Sequence, residues 1–174
     1  GDRVLLRAKS TILFTVHPRK KTGAAVKGIV QVVNTQTGAL ATGTTIIPMD
    51  DTIPQNTEGD QYMALAITPK SATNVLKIEV LAMISKDATA DVTMALFQDT
   101  TAGAIAAEAI AGITEGPHMH KLVHWMTAGT TSSTTFKVRA GAAQAGTTTF
   151  NGRTSARLFG GVTASSITIT EIAV

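Results

Sequence analysis

The stretch NVLKIEVLAMIS, residues 74–85, decides the fold class of this chain. In an extended strand, successive side chains point to opposite faces. One face of this stretch is entirely apolar, and its residues are Leu76, Ile78, Val80, Ala82 and Ile84. Lys77 and Glu79 begin the other face, but Leu81 and Met83 then make that face apolar too. We therefore predict a strand that becomes covered on both sides along its length, with Leu81 and Met83 in the core or in a subunit interface.

Similar short apolar segments follow one another along the chain, separated by turns rich in Gly, Thr and Pro. They are GIVQVVN (28–34), TTIIP (44–48), YMALAIT (62–68), DVTMALFQD (91–99), KLVHWMT, TTFKVRAG, TTTFNG, ARLFGGV and SSITITEIAV. About ten short strands at this spacing are typical of sandwiches and jelly rolls. Only AIAAEAIAG (104–112) favours a helix by propensity. The pattern predicts an all-β fold, an antiparallel, jelly-roll-like β-sandwich over residues 28–174.

Composition narrows the class of protein. Aromatic residues make up 4% of the chain and charged residues 16%, against 44% hydrophobic residues. Such a weakly charged surface indicates a protein that is partly covered by copies of itself. There is no cysteine, so disulfides and sulfur-ligated zinc are excluded. No apolar run approaches the ~18 residues of a membrane span, so no membrane insertion is expected. Because the chain begins with Gly, we expect it to be processed or excised from something longer.

The first 27 residues differ from the rest in charge. They hold a single acid, Asp2, and seven basic residues: Arg3, Arg7, Lys9, Arg19, Lys20, Lys21 and Lys27. Their net charge of +6 leaves −3 for the remainder, since the whole chain carries +3. We predict an extended N-terminal arm or linker over residues 1–27 that docks on a neighbouring protein. With only Phe14 available to stack on bases, nucleic acid is not the expected partner.

Three of the four histidines lie in PHMHKLVHWM, residues 117–126. On a strand, His118, His120 and His124 point to one face. His118 and His120 would be roughly 7 Å apart, so they could hold a metal only if several subunits met on a symmetry axis. We expect instead that His124 is a core or interface imidazole and that the other two face solvent. No nucleophile or orienting carboxylate stands in a recognisable motif, so no catalytic residue, cofactor or enzyme activity is expected.

An acidic loop surrounds Pro54. Its carboxylates are Asp50, Asp51, Glu58 and Asp60, but their order does not match that of an EF-hand calcium site. We expect a structured loop with Asx-type turns rather than a metal site.

Four long strings carry a resemblance to a known family. They are TTIIPMDDTIPQNTEGDQYMALAITPKSATNVLKIEV, ALFQD, HWMTAGTTSSTTFKVRAGAAQAGTTTFNG and ARLFGGVTASSITITEI. Together they resemble a β-rich domain of phage tail-fibre-like virion proteins over residues 28–174. The most specific parts are DDTIPQ-x-TEGD and MTAGTTS-x-TTFKVR. His124, before the MTAG turn, belongs to the pattern, whereas His118, His120 and the arm do not.

This resemblance implies a phage structural protein located in the virion, commonly a trimeric fibre or spike component, and not an enzyme. We therefore expect a homotrimer that contacts other virion proteins through the arm and displays loops for a host glycan or protein receptor. The alternative within structural proteins is a capsid head-fibre or decoration protein. The alternative from another class is a carbohydrate-binding module, which would explain the sandwich but not the arm.

Overall fold

The computed structural model describes residues 28–113 and 116–174, which form two large antiparallel sheets around the main core and a separate two-stranded hairpin over residues 152–157. The predicted all-β sandwich is confirmed, and the described part of the chain contains no α-helix. The strands are β1 (Ile29–Thr37), β2 (Ala41–Gly43), β3 (Asp60–Ile67), β4 (Val75–Lys86), β5 (Ala90–Gln98), β6 (Ala106–Ile113), β7 (His118–Thr127), β8 (Thr134–Ala142), β9 (Thr148–Phe150), β10 (Gly152–Arg153), β11 (Ala156–Arg157) and β12 (Ser165–Ile172). A 3-10 turn, Phe159–Gly161, follows β11 within the ARLFGGV segment. The predicted arm, residues 1–27, lies outside the described residues.

The first sheet is built around β4. One edge of β4 pairs with β7 over Val75–Ile84, and the other edge pairs with β12 over Val75–Leu81. Strand β9 then continues along that second edge, and β2 pairs with β9. Strand β1 closes the far side by pairing with β12. The stretch that suggested the fold is thus the central strand of this sheet.

The second sheet has the order β3-β8-β5-β6. Its edge strand β6 contains most of the segment for which propensity favoured a helix, and that prediction is wrong. Residues Ala106–Ile113 pair with β5 instead, for example Glu108 with Met94 and Ala107 with Ala95. Eight residues are too few for a stable isolated helix, so cross-strand pairing prevails over the helix propensity of alanine.

The core lies between the sheets, and the predicted apolar face of β4 points into it. Leu76, Ile78, Val80, Ala82 and Ile84 are all buried there. The second sheet contributes Val92, Met94 and Leu96 from β5 and Phe136 and Val138 from β8. The alternating pattern along β4 therefore identified its buried face correctly.

A long loop, residues 44–59, covers the outer side of the second sheet. It begins with TTIIP, which was predicted to be a strand but forms none. Instead Ile47 is fully buried against Ala95 and Phe97 of β5. The Ile47 amide donates to the carbonyl of Ala142, and the Gly59 amide donates to the carbonyl of Ile46. The loop thus makes β5 buried on both faces.

Candidate interaction surface

Strand β7 carries the histidine cluster, and its alternation is visible in the burial of its side chains. His118, His120, Leu122 and His124 point toward the interior, whereas the residues between them face solvent. His120 is fully buried, so the expectation that it faces solvent is wrong. His118 and His124 are half-buried.

The burial of His120 is explained by a contact between the two sheets. Its Nδ1 lies 2.9 Å from Oε2 of Glu108, which projects from β6 of the second sheet. The other ring nitrogen, Nε2, has no hydrogen-bond partner among the described residues. Glu108 was not recognised from the sequence, because the segment that contains it was assigned to a helix. The pair therefore links strands that follow one another in sequence but lie in different sheets.

The remaining predictions for the histidines concern the burial of His124 and metal binding. Burial lowers the pKa of His124, whose cross-strand partner is Ile78. Among residues 28–113 and 116–174, no three His, Cys, Asp or Glu side chains are grouped closely enough to hold a metal ion. His118 and His120 lie on one face of β7, as the alternation predicts, but no third ligand joins them in the described part of a single chain.

The acidic loop uses its carboxylates within its own turns. Asp50 accepts hydrogen bonds from the hydroxyl and amide of Thr52, which lower the pKa of Asp50. Glu58 accepts from the amide of Gln55, and Asp60 accepts from the amide and hydroxyl of Thr45. The Asp50 contact is an Asx-type turn, as was expected, whereas Glu58 bonds three residues back and Asp60 bonds a residue 15 positions away.

The outer face of the first sheet carries an apolar patch, formed by Leu81 of β4 and three residues of β7. Leu81 is 42% exposed, Met119 52%, Val123 40% and Trp125 54%. Leu81 lies opposite Lys121, which stands between Met119 and Val123 on the same face of β7. Met83, which was grouped with Leu81 from the sequence, is buried instead. The alternation of PHMHKLVHWM contained the signal for the β7 part of this patch, since every second residue must point away from the core.

Two of the charges on this face, Lys77 and Glu79, are paired with each other, whereas Lys121 stands within the patch itself. Lys77 makes a 2.9 Å ion pair with Glu79, and its Nζ lies 5.6 Å from the centre of the Trp125 ring. Such a cation–π contact contributes about 0.5–1 kcal/mol at an exposed site. The basic residues of the predicted arm, Arg3 to Lys27, lie outside the described residues. No helix in the described ranges is long and apolar enough to cross a membrane.

Comparison with known proteins gives distant structural similarities only. No family model and no curated protein matches the chain. Dimeric latent PorU from Porphyromonas gingivalis is similar over 86% of this chain and 14% of its own, with 8% identity and a TM-score of 0.40. A structure of infectious bursal disease virus, Gx strain, is similar over 81% and 36%, with 11% identity and a TM-score of 0.38. The enzymatically active domain of bacteriophage CBA120 tailspike protein 4 is similar over 68% and 18%, with 15% identity and a TM-score of 0.29.

This chain therefore spans between 14% and 36% of the length of these proteins. At such TM-scores, the fold assignment rests on the strands and register of the chain itself.

Proposed function

We propose that this chain is a structural protein of a phage particle, a tail-fibre or spike component whose β-sandwich assembles as a homotrimer. The apolar patch on the outer face of the first sheet carries this proposal. Leu81, Met119, Val123 and Trp125 are all at least 40% exposed and lie on one face of two paired strands. Exposed apolar side chains grouped on one face, here on either side of Lys121, mark interaction surfaces.

The composition of the patch supports a contact between protein subunits. Trp is enriched among the residues that contribute most to binding at interfaces, and Met is enriched in interface cores. A second subunit would remove these side chains from water, at roughly 25 cal/mol for each Å² of apolar surface. The flanking Lys77 and Glu79 are already paired, so they would form a polar rim rather than a charged obstacle.

The assignment to a virus particle is supported by the resemblance over residues 28–174. One of its two most specific strings, DDTIPQNTEGD (50–60), lies in the loop that covers the second sheet and ends at the first residue of β3. A surface loop held by its own hydrogen bonds suits a receptor-facing role, because its shape is fixed before it meets a partner. The alternative remains a head-fibre or capsid-decorating protein that uses the same sandwich, with residues 1–27 bound to the shell.

Two measurements test the proposal. Light scattering of the purified protein is expected to give about three times the chain mass of 18.0 kDa. A folded monomer that persists at micromolar concentration would contradict assembly. Immunogold labelling of intact phage particles is expected to mark the tail. Labelling of the capsid would favour the head-fibre alternative, and unlabelled particles would contradict the virion role.

A further inference from the structure

A hollow of about 320 Å³ lies on the outer side of the second sheet, beside the end of loop 44–59. Alternation along β8 points Lys137 and Arg139 to this side, since Phe136 and Val138 point into the core. Gln61 of β3 lies opposite Arg139, and Phe97 of β5 lies opposite Lys137. Phe97 is buried under the loop, so the lining of the hollow is mostly polar.

Backbone contacts hold both cations of the hollow in place. The Arg139 guanidinium donates through Nε to the carbonyl of Glu58, at 2.8 Å, and through Nη2 to the carbonyl of Gly59, at 2.6 Å. Lys137 Nζ donates to the carbonyl of Asp99, at 2.7 Å. An arginine has five N–H donors and a lysine three, so each side chain keeps donors for another partner. Fixing these side chains in advance reduces the entropy lost when a ligand binds.

The polar neighbours of the cations are also held. Asp99 has a left-handed backbone with φ of 49°, and its Oδ1 accepts from the amide of Thr135 at 2.7 Å. Asn56 is tied by its backbone amide to the carbonyl of Ala102, at 2.7 Å, and by its side-chain amide to that of Thr101, at 3.3 Å. Asp99 and Gln61 both line the hollow, and a carboxylate and an amide are side-chain groups that can bind hydroxyls.

We propose that this hollow binds a carboxylate-bearing sugar residue, of the uronic acid type, in a cell-surface polysaccharide. Lys137 and Arg139 outnumber the single carboxylate of the hollow, Asp99, so its net charge is positive. The planar guanidinium of Arg139 matches the geometry of a ligand carboxylate. Asp99, Asn56 and Gln61 provide the acceptors and donors that sugar hydroxyls require. The volume lies at the lower end of the range for small-molecule sites, which suits a site for one short sugar segment. This inference rests on the receptor-facing role in the proposed function and specifies the ligand.

Calorimetric titration of the full chain tests the site with three probes: trigalacturonic acid, the neutral trisaccharide maltotriose and inorganic phosphate. Trigalacturonic acid is expected to bind, and maltotriose at least about tenfold more weakly, because a hydrogen bond to a charged group contributes a tenfold factor or more. Added salt should weaken the binding of trigalacturonic acid, since the hollow is open to solvent and its charges are screened. Failure of trigalacturonic acid to bind would overturn the inference, as would phosphate binding of equal affinity, which would show a simple anion site.

A negative charge introduced beside Arg139 tests where the sugar binds. Gln61→Glu keeps the size of an exposed side chain but places a negative charge beside Arg139. We expect it to lower the affinity for trigalacturonic acid about tenfold. Gln36→Glu is the matched control, since Gln36 is an exposed glutamine on β1 of the other sheet, and it should leave binding unchanged. Equal effects of the two changes would place the sugar elsewhere. A monomer that binds trigalacturonic acid would support the sugar site and contradict trimer assembly. A trimer that does not bind trigalacturonic acid would support assembly and contradict the sugar site.

Discussion

Glu171 is a fully buried carboxylate near the end of β12, and four donors surround it. Its oxygens accept from the side-chain amides of Gln31 and Asn74, each at 2.6 Å, and from the backbone amides of Lys70 and Ser71. Burial alone would raise the pKa of Glu171, but these hydrogen bonds outweigh burial and lower it. The carboxylate thereby holds the 68–74 turn against the first sheet.

We expect Glu171→Gln to lower the free energy of unfolding at neutral pH by about 1–3 kcal/mol, because an amide presents a donor where the carboxylate accepts. A carboxyl whose pKa is lowered on folding stabilises the protein at pH values above 4.5, the pKa of this group in the unfolded chain. This stabilisation is lost as the pH falls through the lower pKa of the folded state. Urea unfolding at several pH values should therefore show the two proteins converging in acid. Glu79→Gln, which removes a half-exposed carboxylate that is paired with Lys77 in the same sheet, should have a smaller effect. A difference that is constant with pH would contradict this account.

His120 shows how far residue-level inference from the sequence reaches. The alternation of β7 identifies the face on which His120 lies, and the structure agrees. Its depth depends on Glu108 and on β6, which packs beside β7 at the junction of the sheets. No pattern in the sequence around His120 indicates that β6 packs beside β7, so the burial of His120 could not be predicted.

We expect His120→Ala to cost about 2–4 kcal/mol of stability, as other large-to-small changes at fully buried positions do. The change also leaves Glu108 without its imidazole partner. His124→Ala and His118→Ala should cost less, since both side chains are half-buried. Chemical denaturation of the three variants side by side provides the measurement. If His124→Ala proved the most destabilising, the ranking inferred from burial would be wrong.

At the scale of elements, the strands with strict alternation were predictable and the segments without it were not. The apolar face of β4 determines its place between the sheets, so periodicity located it. Segments 44–48 and 104–112 are both apolar, yet the first forms a covering loop and the second an edge strand. The first segment is positioned by packing on the outer face of β5, and the second by hydrogen-bonded pairing with β5. Neither contact can be read from the sequence of the segment itself.

Gly141 of β8 allows loop 44–59 to lie close against the sheet. A Cβ atom at this position would come within 2.5 Å of the carbonyl oxygen of Thr45 and 3.0 Å of the amide nitrogen of Ile47. We expect Gly141→Ala to lift the loop, so that limited proteolysis cuts within 44–59 faster while the sheets stay intact by circular dichroism. Gly116→Ala is the control, since a Cβ there meets nothing within 4 Å. Unchanged cleavage of the Gly141 variant would show that the loop is not held by this contact.

At the scale of the whole molecule, the apolar patch makes assembly measurable through the single tryptophan of the chain. Trp125 is 54% exposed in the isolated subunit, so burial in an assembly should shift its emission to shorter wavelength and reduce quenching by iodide. Leu81→Lys places a second positive charge in the patch, beside Lys121, and should lower the mass found by light scattering to that of one chain, with Trp125 again open to quenching. Ile53→Lys, an equivalent change at an exposed residue of loop 44–59, should leave the assembly intact. Loss of assembly in both variants would point away from the patch.

The pairing of β1 with β12 affects how the molecule is made. Even the partners closest in sequence, Thr37 and Ser165, are 128 residues apart. A ribosome that adds ~5–20 residues per second needs roughly 6–26 s to synthesise that interval. During this time β1, with Val30 and Val32, has left the exit tunnel but has no partner strand, and unpaired apolar strands are prone to join other nascent chains. A chaperone that shields this one strand until β12 emerges would raise the yield of folded protein without changing its final stability.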